Sequence, residues 1–365
     1  LMQGLESVES IFRNRKINTK ISNLVKRIIV VKGKKEKKII SNSYQYYVNW
    51  KAFFVKQEDT IVFDLNKVVA KQFELASNVE LHYNSEHVAD IKPLEIYSVN
   101  KEYACQKIFG TVDLKHPGVS YFLSLNEFFV TGDLTLHKRP KFNFSKYELT
   151  PAETKEEIRK RGWKKTVGFQ TRNIPHRAHE YLQKVALEHV DGILIQPLVG
   201  FKKPGDFTPQ AVIVGYEELI RKYYPDEKVI FTVLSTVMRY AGPREAVFHA
   251  IIRRNYGCTN FIIGRDHAGV GDFYDKYAAH QLACSFEVEL GIRIMNLSGS
   301  YYCGVCNGIV TEKTCPHKIS SPADCHDISG TDIRNSLIHG IEINPKFIRE
   351  SVIKIIREIK DPFVK

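Results

Sequence analysis

The segment Gln170-Thr171-Arg172-Asn173-Ile174-Pro175-His176, with His179 three residues further on, concentrates polar side chains between a predicted strand and a predicted helix. A helix N-terminus offers free N–H groups and the positive end of the helix dipole, so anions bind there. Arg172 adds a planar fork of donors that matches phosphate or sulfate oxygens. Histidines three residues apart project from one face of the first turn. The segment therefore predicts an anion site.

A second segment, Gly264-Arg265-Asp266-His267-Ala268-Gly269-Val270-Gly271, follows the predicted strand Phe261–Ile263 as a glycine-rich loop, and we expect a helix after this loop. Its glycines let the backbone approach a ligand closely, and its charged side chains supply donors and an acceptor for a nucleotide. The alternative is a glycine turn closed by an ion pair between Arg265 and Asp266.

Two further segments place charged or hydroxyl residues at predicted helix starts. Residues 238–246 carry Arg239 and Arg244 around Pro243, and residues 329–334 run Ser-Gly-Thr-Asp-Ile-Arg. Each is either a phosphate contact or an ordinary helix start, and the sequence leaves both interpretations open.

Three of the seven cysteines are spaced like metal ligands. Cys303 and Cys306 form a Cys-x-x-Cys pair, and Cys315 and His317 follow within a short span. Three thiolates and an imidazole make up one kind of closed structural zinc site. Cys325 and His326 are alternatives to His317 as the fourth ligand.

The elements that must position these residues fall into three predicted parts. Residues 1–145 show short apolar runs broken by turns, including 46–50, 60–63 and 119–123, and predict a β-rich domain. From residue 146 to 310, a helix starting at Thr150-Pro151 is followed by alternating short strands and helices, which is typical of a parallel α/β sheet. Residues 311–365 predict a small lobe with a last helix over 345–359.

Composition limits the functional classes. The 365 residues carry a net charge of +12. Residues 1–145 contain 22 basic and 15 acidic residues, so +7 of the net charge lies in this part. The charge is spread out, so RNA or DNA binding by the first domain remains only the weaker alternative. A lysine cluster at residues 32–38 predicts a solvated hairpin turn around Gly33, with a docking patch as the alternative.

We find no apolar run long enough for a membrane span and no secretory signal, and expect an intracellular, cytoplasmic protein that binds neither nucleic acid nor membrane.

Taken in order, the four segments resemble the signature of the ATP sulfurylases, a family of nucleotidyltransferases. Residues 110–113 and 116–119 are similar to the N-terminal domain of that family. The resemblance implies an α/β fold: a β-rich PUA-like domain, a Rossmann-like nucleotidyltransferase domain, and a small C-terminal α/β lobe. It also implies the transfer of the adenylyl group of ATP to sulfate by direct in-line attack, with pyrophosphate released, in a reversible reaction of sulfate activation.

The resemblance assigns roles to individual residues. Thr171, Arg172, Asn173, His176 and His179 would be catalytic; Gln170, Arg172 and Ala268 would bind sulfate; Arg172, Asn173, Ile174, Pro175, Gly264, Arg265, Asp266 and His267 would bind ATP. It further implies Mg²⁺ bound with ATP, a structural Zn²⁺ and a homodimer. The sequence contains no P-loop, so we expect no fused adenosine-phosphosulfate kinase. The alternative enzyme is another His-x-x-His adenylyltransferase, acting on a cofactor precursor.

Overall fold

The structure, a computed structural model, describes residues 31–40, 43–48, 62–83, 85–138, 144–200 and 202–364. The chain divides into two compact units. The first comprises Leu1–Lys146, Arg239–Phe248 and Ala268–Asp275; the second comprises Tyr147–Met238, His249–His267 and Lys276–Lys365. The division at residues 145 and 310 that the sequence predicts stays a prediction, and most of residues 1–45 lie outside the described residues.

The first unit contains a closed β-barrel. Its strands are β1 (Val31–Ile40), β2 (Ser43–Val48), β3 (Val62–Leu65), β4 (Val79–Tyr83), β5 (Glu86–Ser98) and β6 (Phe128–Leu136). They pair in the order β1-β2-β4-β5-β6-β3, and β1 pairs with β3 to close the barrel. Closure pairs the edge strands that would otherwise invite association. The helices are α1 (Lys67–Glu74), α2 (Lys101–Phe109) and α3 (Pro117–Leu123).

Two sequence predictions in this unit are wrong. The lysine cluster around Gly33 lies within β1, which pairs antiparallel with β2 as far as Ile40, so Gly33 is a strand residue and not a turn residue. The apolar run 119–123 belongs to α3 and not to a strand. His116 caps this helix by accepting hydrogen bonds from the backbone N–H groups of Gly118 and Val119 at 3.1 and 3.2 Å. The His116 cap and Pro117 at the first helical position outweigh the strand preference of this short apolar run.

The second unit is built on a five-stranded sheet in which every pairing is parallel. The strands β7 (Thr166–Phe169), β8 (Gly192–Ile195), β9 (Val229–Phe231), β10 (Asn260–Ile263) and β11 (Arg293–Asn296) lie in the order β11-β10-β7-β8-β9. The helices between them are α5 (Arg177–Leu187), α6 (Pro209–Tyr223), α7 (Gly242–Asn255), α8 (Ala278–Cys284) and α9 (Glu287–Leu290), and α4 (Pro151–Lys160) precedes β7. Ligands of such sheets bind beyond the carboxyl ends of the strands.

Helix α4 begins as the sequence predicts. Thr150 accepts a hydrogen bond from the backbone N–H of Glu153, whose carboxylate accepts one from the N–H of Thr150. This reciprocal capping box satisfies two N–H groups at the helix start. Gly162, with a φ of +68°, follows the end of the helix.

The last part of the chain forms a small sheet and three helices. Strands β12 (Ser300–Cys303), β13 (Gly308–Thr311) and β14 (Cys325–Asp327) lie in the order β13-β12-β14. Helices α10 (His317–Ser320), α11 (Gly330–Ile338) and α12 (Glu350–Arg357) complete the fold. Helix α12 packs on α6 and is shorter than the predicted 345–359. Among the described helices, every one is too short or too polar to span a bilayer.

Candidate active site

The segment from Gln170 to His179 connects β7 to α5, as the sequence predicts. His176 is the N-cap of α5, and its Nδ1 accepts a hydrogen bond from the backbone N–H of His179 at 3.3 Å. The two imidazole rings stack with centroids 3.6 Å apart and an interplanar angle of 22°. The strand end and the helix cap therefore bring both rings together at the carboxyl edge of the sheet.

Burial keeps both imidazoles neutral. Desolvation lowers the pKa of His176 to about 3, and burial together with His176 holds the pKa of His179 well below its ordinary value. Because Nδ1 of His176 accepts the cap hydrogen bond, its proton must be on Nε2. The hydroxyl of Tyr216 lies 3.5 Å from Nδ1 of His179, and burial raises the pKa of this phenol. A protonated phenol can donate to this nitrogen or accept from it, so the contact fits either tautomer of His179.

Lys202 supports the backbone of the same loop, and sequence reasoning missed it. Its Nζ, on a side chain 4% exposed, donates to the carbonyl oxygens of Arg172 at 3.1 Å and Phe207 at 3.0 Å. Burial lowers the pKa of Lys202 to about 7; Asp206 opposes this shift, and Arg172 and Arg334 add to it. The sequence around Lys202 gives no local signal for this role, because both partners are backbone atoms positioned by the fold.

The start of α11 contacts the Gln170–His179 loop. Ser329 caps the helix by accepting from the N–H of Asp332 at 3.1 Å. A Cβ on Gly330 would come within 2.6 Å of Nδ2 of Asn173, so a larger residue here would displace the Asn173 amide. Arg334, further along α11, pairs with Asp206 at 3.3 Å. Two of the four predicted segments therefore meet.

Several polar atoms around this junction are buried without a hydrogen-bond partner within the described ranges. They are Oε1 of Gln170, Oδ1 of Asn173 and Nε of Arg334. A buried polar atom without a partner costs free energy. Such atoms at the carboxyl edge of a parallel sheet indicate that a ligand supplies the missing partners.

A loop follows β10 and leads to a helix, as the sequence predicts, but it extends beyond the predicted segment 264–271. The next helix, α8, begins at Ala278, because Asp266 adopts a left-handed φ of +52° and its N–H donates to the carbonyl of Lys276 at 2.7 Å. Left-handed backbone in a residue other than glycine is strained and concentrates at functional sites. Arg265 faces the carboxylates of Glu312 and Asp327 at 3.7 and 3.8 Å.

His267 in this loop contacts a buried histidine that sequence reasoning missed. Its Nε2 lies 3.1 Å from Nδ1 of His249, which is fully buried. Burial, with His249 as the next cause, holds the pKa of His267 well below its ordinary value. The facing nitrogens share one proton, so the tautomer of one ring sets the tautomer of the other. His249 therefore fixes the orientation of His267.

Two predicted contributors belong to the first unit. Ala268 has a φ of +61°, and its carbonyl oxygen accepts from the N–H of Gly242 at 3.1 Å. Arg239 is 1% exposed, and the carboxylate of Glu245 accepts hydrogen bonds from the N–H groups of Arg239 and Ala241. Arg239 and Glu245 therefore organise the start of α7.

The cysteine-rich segment brings four ligand atoms together. Cys303, Cys306, Cys315 and His317 each place one within 4.8 Å of the others. Nδ1 of His317 lies 3.4, 3.3 and 3.4 Å from the three sulfurs, and two sulfurs are 3.7 Å apart. A tetrahedral zinc ion with three sulfurs and one nitrogen requires about 3.6 Å between sulfur and nitrogen and about 3.8 Å between sulfurs. The donor set fits such an ion.

A parallel sheet with two loops at its carboxyl edge, a helix N-cap histidine and buried donors defines an α/β enzyme for an anionic, nucleotide-like ligand. Residues 145–359 match the ATP-sulfurylase family, and residues 60–139 match the PUA-like domain. The sulfate adenylyltransferases of Ignicoccus hospitalis and Thermococcus onnurineus are 41% and 42% identical to the chain, covering 83% and 82% of it and 78% of each relative. The chain belongs to the ATP-sulfurylase family.

A solved structure supports the fold. The "Hexameric APS kinase from Thiobacillus denitrificans" superposes with a TM-score of 0.57 at 19% identity, covering 78% of this chain and 50% of that one. The predicted fold class, a PUA-like domain before an α/β nucleotidyltransferase domain, is confirmed.

Proposed function

We propose that the chain transfers the adenylyl group of ATP to sulfate and releases pyrophosphate, as a sulfate adenylyltransferase. The observation that carries this proposal is the stacked pair His176 and His179 at the N-terminus of α5, with Arg172 in the same loop. Family membership and the names of the relatives support the substrates.

Sulfate needs no general base in this reaction. It is already a dianion at neutral pH, so the barrier lies in bringing it to a polyanionic nucleotide and aligning attacking and leaving oxygens. The Nε2–H of His176 is a preorganised donor for phosphate oxygens, His179 stacks on the same ring, and the low pKa values of both prevent them from exchanging protons with the substrate near neutral pH. Arg172 supplies a positive charge, and its attraction for the anionic substrates becomes stronger as water leaves the site.

We assign the remaining site residues by the same logic. Gln170, Arg172 and the backbone of Ala268 hold sulfate. Residues 172–175 and 264–267 hold ATP. The unpaired Oδ1 of Asn173 is available to the nucleotide. Thr171 accepts a hydrogen bond from the N–H of Asn173 at 3.1 Å and so shapes the loop.

Two metal ions accompany this function. Mg²⁺ would arrive with ATP as part of the substrate and would supply positive charge near the pyrophosphate leaving group. Zn²⁺ binds Cys303, Cys306, Cys315 and His317 in a structural role, since four protein ligands leave no position open for substrate. Metal analysis of purified protein tests the second assignment; the absence of stoichiometric zinc would contradict it.

The test of function compares acceptors and one pair of variants. Pyrophosphate release from ATP is measured with sulfate, with molybdate and with cofactor precursors. We expect turnover with both oxyanions and none with organic acceptors, whereas sulfate-independent turnover on an organic acceptor would favour another His-x-x-His adenylyltransferase. Arg172→Ala abolishes turnover and protection by sulfate, and Arg172→Lys restores only a minor part because lysine lacks the planar fork. Intact sulfate protection in Arg172→Ala would contradict the assignment.

We also propose a homodimer and an intracellular location. Sedimentation velocity tests the dimer, and cell fractionation tests the location.

A further inference from the structure

A cluster of histidines and carboxylates lies on the barrel of the first unit, in residues that the adenylyl-transfer proposal does not use. Nε2 of His87 lies 2.8 Å from Oδ1 of Asp90, and Nε2 of His137 lies 2.7 Å from Oδ2 of the same carboxylate. One ligand atom from each of the three residues lies within 4.8 Å of the others. The three side chains are partly exposed, so an ion can reach them from solvent.

Strand pairing holds these side chains in place. His87 and Asp90 lie on β5, and His137 directly follows β6, where Ala89 pairs with Leu136. The N–H of His137 donates to the carbonyl oxygen of Val88 at 2.9 Å, which extends the ladder beyond the end of β6. The backbone of all three residues is therefore fixed without an ion, as a preformed binding site requires.

The neighbouring strand adds a second carboxylate. Glu80 on β4 is the direct cross-strand partner of Asp90, and His82 is that of His87. Like charges directly opposite each other destabilise a sheet. His82 partly relieves this, because its Nε2 lies 3.0 Å from Oε2 of Glu80 and its ring stacks on that of His87 at 5.2 Å. Two facing carboxylates among imidazoles favour a bound cation.

We propose that His87, Asp90 and His137 bind a divalent transition-metal ion of the Zn²⁺ type through two Nε2 atoms and a carboxylate oxygen. Two imidazoles with one carboxylate select zinc, nickel, cobalt or iron over Mg²⁺ and Ca²⁺, which prefer oxygen ligands. Tetrahedral coordination requires about 3.4 Å between a ligand nitrogen and a ligand oxygen, so the two nitrogen–oxygen distances, now 2.8 and 2.7 Å, must lengthen by about 0.6 to 0.7 Å. Side-chain rotation achieves this, and the ion then links β5 to the segment after β6.

The test titrates Zn²⁺ into the full-length protein by calorimetry after its metal content has been measured, so that zinc in the cysteine cluster is already counted. We expect one further equivalent with a dissociation constant in the micromolar range or below. The double variant His87→Gln/His137→Gln loses this equivalent, and Asp90→Asn weakens it at least tenfold. The matched control is His189→Gln, which alters an exposed histidine of the second unit; it keeps the full binding.

Two further measurements separate the ion from a hydrogen-bonded network. Co²⁺ bound at this site gives an absorption spectrum without the thiolate charge-transfer band that the cysteine cluster produces, because no sulfur is among the ligands. Pyrophosphate release stays at the wild-type rate in the variants. No saturable binding beyond the zinc already present, or binding that survives the double variant, would overturn the proposal.

Discussion

Replacing His176 by asparagine separates its two roles. The side chain caps α5 through Nδ1 and presents Nε2–H at the proposed phosphate site. Asparagine is a good N-cap, so Oδ1 of the new residue can accept from the N–H of His179, but it is too short to replace Nε2–H. Alanine removes both groups. The pair His176→Asn and His176→Ala therefore distinguishes a capping defect from a catalytic one.

The two variants are expected to share a catalytic loss and differ in stability. Removing one preorganised donor from developing phosphate charge costs on the order of 10² to 10³ in kcat, with a smaller change in KM. Loss of the cap costs about 1 kcal/mol of unfolding free energy in the alanine variant and only a few tenths in the asparagine variant. Steady-state pyrophosphate release and urea unfolding near pH 7.5 measure the two quantities.

Acid provides an independent check on the buried state of His176. Folding lowers the pKa of this imidazole from 6.5 to about 3, so its stabilising contribution is complete above pH 6.5 and is lost as the pH falls toward 3. From 6.5 down to about pH 5 the loss is about 2 kcal/mol for this histidine. The His176→Asn variant should lose about that much less unfolding free energy than wild type over the same interval. His189→Ala, on an exposed histidine beyond α5, serves as the control and changes none of these quantities.

Near-normal kcat in His176→Asn would refute the donor role, whatever the alanine variant does. Equal acid sensitivity of wild type and His176→Asn would refute the buried neutral imidazole.

Three further perturbations test other parts of the structure. Lys202→Met removes the donor to the carbonyl of Arg172 and should lower kcat/KM for sulfate about tenfold or more; unchanged kinetics would exclude a positioning role. Cys306→Ser should release zinc and lower the Tm, as should a strong chelator applied to wild type, with metal content and calorimetry as the readouts. Arg349→Met breaks the bidentate pair with Glu180 at 3.0 and 2.7 Å, leaving the buried carboxylate with Lys184 and the more distant Arg177, and should cost about 2 kcal/mol in urea unfolding; a neutral effect would show that the pair contributes little.

Local signals explain which elements the sequence predicts well. The capping box at Thr150 and the strand, loop and helix around Gln170 to His179 depend on neighbours a few residues apart, and both are found as predicted. The run 119–123 is too short for periodicity to decide, and His116 capping makes it helical. The length of the loop after Gly264, which runs to the helix starting at Ala278, depends on a left-handed Asp266, a conformation that residue type alone does not indicate.

Supporting residues escape sequence reasoning when their partners are distant or are backbone atoms. Lys202 donates to the carbonyl oxygen of Arg172, 30 residues away along the chain. His249 contacts the ring of His267, 18 residues away. Neither spacing corresponds to a turn of helix or a strand repeat, so no pattern marks these contacts. The spacing of Cys303, Cys306 and Cys315 predicts three thiolate ligands. The turn into α10 is what brings Nδ1 of His317 to their sulfurs.

Protonation state is the property of the site that the sequence leaves most open. Histidines at a helix N-terminus near a proposed phosphate site suggest imidazolium cations, yet burial and the positive end of the helix dipole both disfavour a second positive charge there. His176 and His179 are therefore neutral rings, and the positive charge in the loop comes from the guanidinium of Arg172. In the proposed function, Arg172 attracts the anionic substrates and the neutral imidazole of His176 donates a hydrogen bond to the phosphates. Neither imidazole therefore has to change its charge near neutral pH. Adenylyl transfer should accordingly lack an essential imidazolium ionisation between about pH 6 and 8, and a kcat profile that rises on acidification in this range would contradict the neutral pair.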